Sequence, residues 1–266
     1  MSPVPQVTAA VAERECFAGA PGARLYVKIW TPEAVRGAPI LLFHDSLGCT
    51  SLWRSFPAAL AAVAGREVIA YDRLGFGLSD PRGDKLARDF VVEEGREAAP
   101  RLLDALGVDR FVALGHSVGG GMAAEAGAAA GERCEAVVSV SALAFVDERG
   151  RMGIRRESAG FRAPGGLRGL ARHHGDKARW VLDAWADTWL SPAFDDYNFD
   201  AALAACLCPV LALQGDRDDY GGREHPARIA AAARRGRMAM IADCGHFPHR
   251  EREGLLAASV AGFLAG

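Results

Sequence analysis

The chain lacks a dense cysteine framework. Its six cysteines, Cys16, Cys49, Cys134, Cys206, Cys208 and Cys244, are scattered over 266 residues. Only Cys206 and Cys208 lie close together, and no second pair at zinc-site spacing accompanies them. Scattered thiols of this kind read as small buried hydrophobes in a reducing compartment, and no metal is expected. A dominant charge is also lacking. The formal net charge is −2, and no run of like charges forms a tail. No global field is therefore present to attract nucleic acid or an anionic membrane. No apolar run approaches the ~20 residues that a membrane span needs. The opening MSPVPQVTAAVAEREC has neither a basic start nor an uninterrupted apolar core, which argues against a signal peptide. A cytoplasmic protein is the expectation. Two further loops are missing. There is no Gly-Lys-Ser/Thr phosphate loop and no G-x-G-x-x-G dinucleotide loop, so no cofactor is expected. No internal repeat is visible.

What is present is a series of short apolar runs. Residues 24–30, RLYVKIW, alternate as a half-buried strand does, and 20–23 read as a turn. An antiparallel hairpin is predicted from about Val11 to Trp30. From residue 39 the runs become continuous: PILLFH (39–44), VIAY (68–71), RFVALG (110–115), AVVSVSA (136–142), PVLALQ (209–214) and RMAMIA (237–242). Such strands suit a parallel sheet covered on both faces. Helical patterns separate most of them, over 51–64, 88–106, 118–130, 223–235 and 251–264. Alternation of this kind predicts a doubly wound α/β fold with a mostly parallel sheet. Residues 147–200 break it: they hold Trp180, Trp185, Trp189, Phe194 and Tyr197 but no convincing strand. They are read as a helical cap on a core made of 1–146 and 201–266.

The densest signal is ALGHSVGGGMA, residues 113–123. Gly115-His116-Ser117-Val118-Gly119 fits G-x-S-x-G between a predicted strand and a predicted helix, the context this motif requires. A sharp corner there forces the serine into an unfavourable backbone conformation and exposes its hydroxyl at a helix N-terminus. A nucleophilic serine needs a base, and the base needs an orienting acid. His246, in IADCGHFPHRE just after the last predicted strand, is the expected base, with His249 the runner-up. Asp216, Asp218 and Asp219 follow the strand 209–214, and each satisfies the order Ser…Asp…His.

Four stretches carry a resemblance that covers nearly the whole chain: FHDSLG (43–48), YDRLGFGLSD (71–80), GHSVGG (115–120) and QGDRD…CGHFPH (214–218 and 244–249). Together they resemble the α/β-hydrolase family, in its serine carboxylesterase-like branch. The resemblance implies a triad of Ser117, Asp218 and His246, because the acid of such families is the last residue of a G-x-x-D turn. It also implies an oxyanion hole formed by the N–H groups of Ser46 and Val118. Asp45 departs from the glycine usual in that loop. His44, Trp180, Trp185 and Trp189 are expected around the substrate pocket. The YDRLGFGLSD stretch is expected to brace loops.

The expected chemistry is acyl transfer from a small-molecule ester to water through an acyl-enzyme. An apolar or aromatic acyl group suits the tryptophans. The serine sets the chain apart from relatives that use an aspartate nucleophile. Lactone opening and carbon–carbon bond hydrolysis use the same constellation, and a non-catalytic receptor on this fold is the alternative of a different class. A homodimer stays open as a partner.

Overall fold

The computed structural model describes residues 10–266. Strands β1 (Val11–Ala18) and β2 (Leu25–Pro32) form an antiparallel hairpin. β3 (Ile40–Phe43), α1 (Phe56–Ala64) and β4 (Val68–Tyr71) follow, then α2 (Phe90–Glu93), α3 (Ala99–Ala105) and β5 (Phe111–His116). Next come α4 (Val118–Ala130) and β6 (Cys134–Val140), and after them α5 (Glu148–Arg162), α6 (Arg168–His174) and α7 (Ala178–Trp189). The chain ends with α8 (Asp200–Ala205), β7 (Val210–Gly215), α9 (Glu224–Ala232), β8 (Gly236–Ile241), α10 (Pro248–Glu251) and α11 (Glu253–Leu264).

The eight strands form one sheet in the order β1-β2-β4-β3-β5-β6-β7-β8, parallel from β4 to β8. This is the doubly wound sheet that the apolar runs predict. Its faces alternate by residue. Ile40, Leu42, Val112 and Leu114 pack with α1 and α11, while Leu41, Phe43, Phe111 and Ala113 pack with α4 and its neighbours. Strands covered on both faces must be apolar at every position, and β3, β4, β5 and β7 are buried throughout. The edge strand β8 instead alternates half-buried and exposed positions up to its buried end at Ile241.

Two predicted helices are broken. The run 88–106 contains Pro100, whose missing N–H cannot bond back one turn. One turn of π-helix over Glu94–Ala98 absorbs the fault between α2 and α3. The run 51–64 begins as a 3-10 turn over Thr50–Trp53, is stopped by Arg54 at φ 55°, and restarts as α1 with Pro57 in its first turn. Among the described residues, no helix is long and apolar enough to cross a membrane.

The connectivity positions the site. From β3 the chain steps to β4 on one side, then crosses back to β5 on the other. The loops leaving β3 and β5 splay apart at this reversal and open a crevice at the carboxyl edge of the sheet. The helices α5, α6 and α7 are inserted between β6 and β7. Trp180 of α7 fastens this insertion to the loop after β4, donating from Nε1 to the Asp84 carbonyl at 3.1 Å and packing edge-on against Phe76.

Candidate active site

Ser117 sits between β5 and α4 with φ 54° and ψ −125°, a region that non-glycine residues rarely occupy. Holding it costs roughly 1–3 kcal/mol, which the surrounding packing must supply. Its N–H donates to the Val140 carbonyl at 2.8 Å, and its carbonyl accepts from Gly120 at 2.9 Å. The flanking glycines are required by close approach. A Cβ on Gly115 would lie 1.8 Å from the Gly119 carbonyl oxygen, and one on Gly119 would lie 2.1 Å from that of Phe43.

His246 follows β8. Its Nδ1–H donates to Asp218 Oδ2 at 2.8 Å and Oδ1 at 3.0 Å. Asp218 is buried and also accepts from the Tyr220 N–H at 2.9 Å and from Gln214 Nε2 at 2.6 Å. Burial alone would raise the Asp218 pKa. The bond from His246, its charge and the Tyr220 N–H outweigh burial and hold the carboxyl below its ordinary value. With Nδ1 committed as a donor, the neutral ring of His246 keeps its lone pair on Nε2. Of the other two carboxylates, Asp216 accepts from the Cys244 N–H and the exposed Asp219 lies 3.7 Å from Arg156. His249 is buried against Trp53 and His116, and burial drives its pKa well down.

The loop after β3 is braced from several sides. The Asp45 carboxylate accepts from the Leu47 N–H at 2.9 Å and lies 3.3 Å from His116 Nδ1. Its carbonyl accepts from Gly48, from Arg73 Nη2 at 3.0 Å and from His44 Nδ1 at 2.8 Å. Burial acts against ionisation of Asp45, but His116 and the Leu47 N–H hold its pKa well below the ordinary carboxylate range. His116 Nε2–H in turn donates to the His246 carbonyl at 2.7 Å, so one buried ring joins three loops. The Ser46 N–H has no hydrogen-bond partner among the described residues. Val118 is the first residue of α4, so its N–H has no partner within the helix. Asp72 braces the next loop, accepting from the N–H groups of Thr50 and Leu78.

Ser117 and His246 open onto one cavity of about 560 Å³, whose wall also includes Ser46, Trp185, Trp189 and Tyr220. His44 and Trp180, expected around the pocket, do not line it. Both ring nitrogens of His44 are taken by backbone groups, Nδ1–H by the Asp45 carbonyl and Nε2 by the Arg73 N–H, so the ring ties two strand ends together. Trp180 faces the loop after β4 instead. Tyr220, whose ring packs 4.5 Å from His246, was not legible as a site residue. It follows Asp218 by two positions, on the loop between β7 and α9. Arg149 of the insertion reaches the same turn and donates to the carbonyls of Asp218 and Asp219. Burial pushes the thiols of Cys49 and Cys244 up to about 11, so both stay protonated near neutrality.

One cluster, Asp147, Glu224 and His225, has the ligand types of a metal site. His225 Nδ1 accepts from the Ala144 N–H at 3.1 Å, so the neutral ring carries its proton on Nε2, facing Asp147 at 3.6 Å. That leaves no imidazole lone pair for a metal. The cluster joins the start of α5 to α9.

A strained serine at a strand–helix corner, a histidine backed by a buried carboxylate, and a sheet reversal beneath them define an α/β protein of the hydrolase type. Residues 38–198 match the model of the alpha/beta hydrolase fold family, and the chain belongs to that family. It is 24% identical over 254 residues to the 2-hydroxymuconate semialdehyde hydrolase of Pseudomonas sp. strain CF600, covering 86% of this chain and 87% of that one. It is 32% identical over 91 residues to a proline iminopeptidase of Lactobacillus delbrueckii, covering 34% of this chain and 31% of that protein. Among the curated relatives, the matches of higher identity are partial, spanning 28% to 40% of the relative's length. The fold superposes on the carboxylesterase CesB of Bacillus subtilis with a TM-score of 0.73 at 18% identity, covering 97% of this chain and 94% of that one.

Proposed function

We propose that the protein is a serine hydrolase that cleaves a carboxylic ester through an acyl-enzyme. The observation that carries this reading is the joint exposure of Ser117 and His246 on one cavity, with Asp218 fixing the histidine from behind. Ser117 Oγ attacks the ester carbonyl as His246 Nε2 takes its proton. Asp218 holds the imidazole in the required tautomer and stabilises the imidazolium. The N–H groups of Ser46 and Val118 receive the negative charge that develops on the carbonyl oxygen. His246 then returns the proton to the leaving alkoxide and later activates the water that releases the acid. The test is incubation with a fluorophosphonate probe and mass spectrometry of the adduct. Labelling at Ser117, together with multiple turnover of p-nitrophenyl butyrate, is the expected result. An unlabelled Ser117 in the folded protein would instead favour a binding protein.

One observation favours a neighbouring reaction. The full-length relative is a hydrolase of 2-hydroxymuconate semialdehyde. The same serine, histidine and loop amides would serve a carbon–carbon bond or a lactone, so both substrate classes belong in the first screen.

Asp45 supplies a further prediction. Its carboxylate sets the turn that presents the Ser46 N–H. Asp45→Ala is expected to lower kcat by about ten- to a hundredfold, since a small displacement of a donor is costly in an active site. Asp45→Asn keeps the acceptor for Leu47 and should recover most of that loss. Steady-state kinetics on one ester compares the two variants.

A further inference from the structure

The charged side chains on the cavity wall sort into partnered groups and one exception. Arg156 lies 3.8 Å from Glu157 and 3.7 Å from Asp219. Arg217 pairs with Asp243 on the outside of the same loop. Glu251 accepts from the N–H groups of Gly245 and Phe247. Asp45 is engaged by Leu47 and His116. Of the three arginines on this wall, Arg250 alone has no carboxylate partner among the described residues. Its Nε donates to the Leu52 carbonyl at 3.2 Å, and its guanidinium lies 4.6 Å from the centre of the Phe247 ring. Among the described residues, no carboxylate lies within ion-pair distance of it; Asp243 is taken by Arg217, from the loop after β7, and by Arg252.

Further arginines and a neutral histidine stand around it. His173 lines the same cavity and is fixed by Ser51 Oγ at 2.9 Å. Burial, then Arg250, Arg172 and Arg54, push the His173 pKa down. Burial likewise lowers Arg250; Asp45 opposes this from a distance and Arg54 reinforces it. The arginines of the insertion are by contrast mostly spent. Arg151 pairs with Asp195, Arg155 with Glu148, and Arg162 and Arg179 with Asp183. A half-buried guanidinium over an aromatic ring, with two amino groups uncommitted on the cavity that Ser117 and His246 also line, is a donor set that receives a carboxylate in bidentate fashion.

We propose that Arg250 is an anion subsite of this cavity and that the ester cleaved here carries a carboxylate in its acyl or alcohol part. The inference rests on the hydrolase reading of Ser117 for its chemistry. It rests on the wall of the cavity for its recognition, where Leu143, Ile154, Leu170, Trp185 and Trp189 would cover an apolar body between the ester and the charge.

The experiment compares matched esters. Mono-p-nitrophenyl adipate is set against p-nitrophenyl heptanoate for a charge on the acyl side. 4-Acetoxybenzoate is set against its methyl ester for a charge on the alcohol side. In one pair kcat/KM for the anionic ester should exceed that for the neutral one by about tenfold or more, through KM. Arg250→Gln should bring that ratio near one, with Arg250→Lys in between. Because the ratio is taken within each variant, a general loss of activity cancels. Calorimetric binding of the adipate dianion, weakened at least as much by Arg250→Gln, reads the subsite without any turnover. Neutral esters equal to or better than both anionic ones, or adipate binding indifferent to Arg250→Gln, would overturn the proposal. Loss of fluorophosphonate labelling with adipate binding intact would sink the hydrolase reading alone.

Discussion

Glycine in place of Ser117 is expected to abolish ester turnover and to raise thermal stability in one step. The two effects have separate causes. On the proposed mechanism, removing the Ser117 hydroxyl removes the acyl-enzyme, and losses of about 10⁶ in kcat accompany such deletions in serine hydrolases. The stability gain comes from the backbone. At φ 54° and ψ −125° a side chain is strained by roughly 1–3 kcal/mol, and glycine occupies the region without that penalty. The added chain entropy of glycine offsets about 0.5–1 kcal/mol of the gain. A net gain of about 1 kcal/mol raises Tm by roughly 2–4 °C in a chain of this size. Ser117→Ala separates the causes: it should lose the same turnover with Tm unchanged, because alanine keeps the strain. Differential scanning fluorimetry beside a p-nitrophenyl ester assay reads both quantities. A Ser117→Gly variant no more stable than Ser117→Ala would show that the turn stores no strain. Turnover surviving in either would place the nucleophile elsewhere. Asp218→Asn leaves the geometry in place but favours the wrong tautomer of His246, and a fall of about 10⁴ in kcat is expected there.

The contrast between Ser117 and His44 shows where sequence reading reaches and where it stops. Ser117 was legible because three local requirements coincide within a few residues: an apolar strand, a glycine on each side, and a helix made of small residues. The sheet was legible for the same reason, since continuous apolar runs have few other uses in a chain of this composition. His44 carries no such local signature. A histidine at a strand end reads equally as a pocket wall or as a brace, and only the Arg73 N–H, contributed by the loop after β4, decides for the brace. Trp180 fails for a different reason, the period of its helix. At 3.6 residues per turn it stands about 140° from Trp185 and about 180° from Trp189, so α7 turns that one ring away from the cavity and toward the loop after β4. The residues alone left three neighbouring aspartates open, the resemblance pointed to Asp218 through its G-x-x-D turn, and the turn buries that one against His246. Asp218 is buried while Asp216 and Asp219 are exposed. Arg250 lay beyond reach for the opposite reason: its meaning is the absence of an acid beside it, and an absence in space leaves no mark along the chain.

Alanine at Gly115 or Gly119 should damage the fold itself, more than any change to the triad. The added methyl meets backbone, which cannot rotate away. At Gly115 it would lie 1.8 Å from the Gly119 carbonyl oxygen, and at Gly119 it would lie 2.1 Å from the Phe43 carbonyl oxygen. Relief requires α4 to lift from the sheet or β3 to part from β5, and either movement uncovers the central strands. A loss of about 3 kcal/mol or more follows, at the upper end of overpacking effects. That corresponds to a Tm lower by roughly 6–12 °C, or to a protein that does not accumulate in soluble form. Gly160 provides the control. It lies within α5, and nothing stands within 4 Å of a Cβ built on it. Gly160→Ala should therefore stabilise slightly, by about 0.5–1 kcal/mol, through helix propensity alone. Thermal denaturation of the three variants decides between two uses of glycine in one chain. If the run around Ser117 were a flexible loop, all three substitutions would be tolerated alike. A steep loss confined to Gly115 and Gly119 would mean that those glycines exist to let three backbone segments converge and hold one serine where a side chain would otherwise never stand.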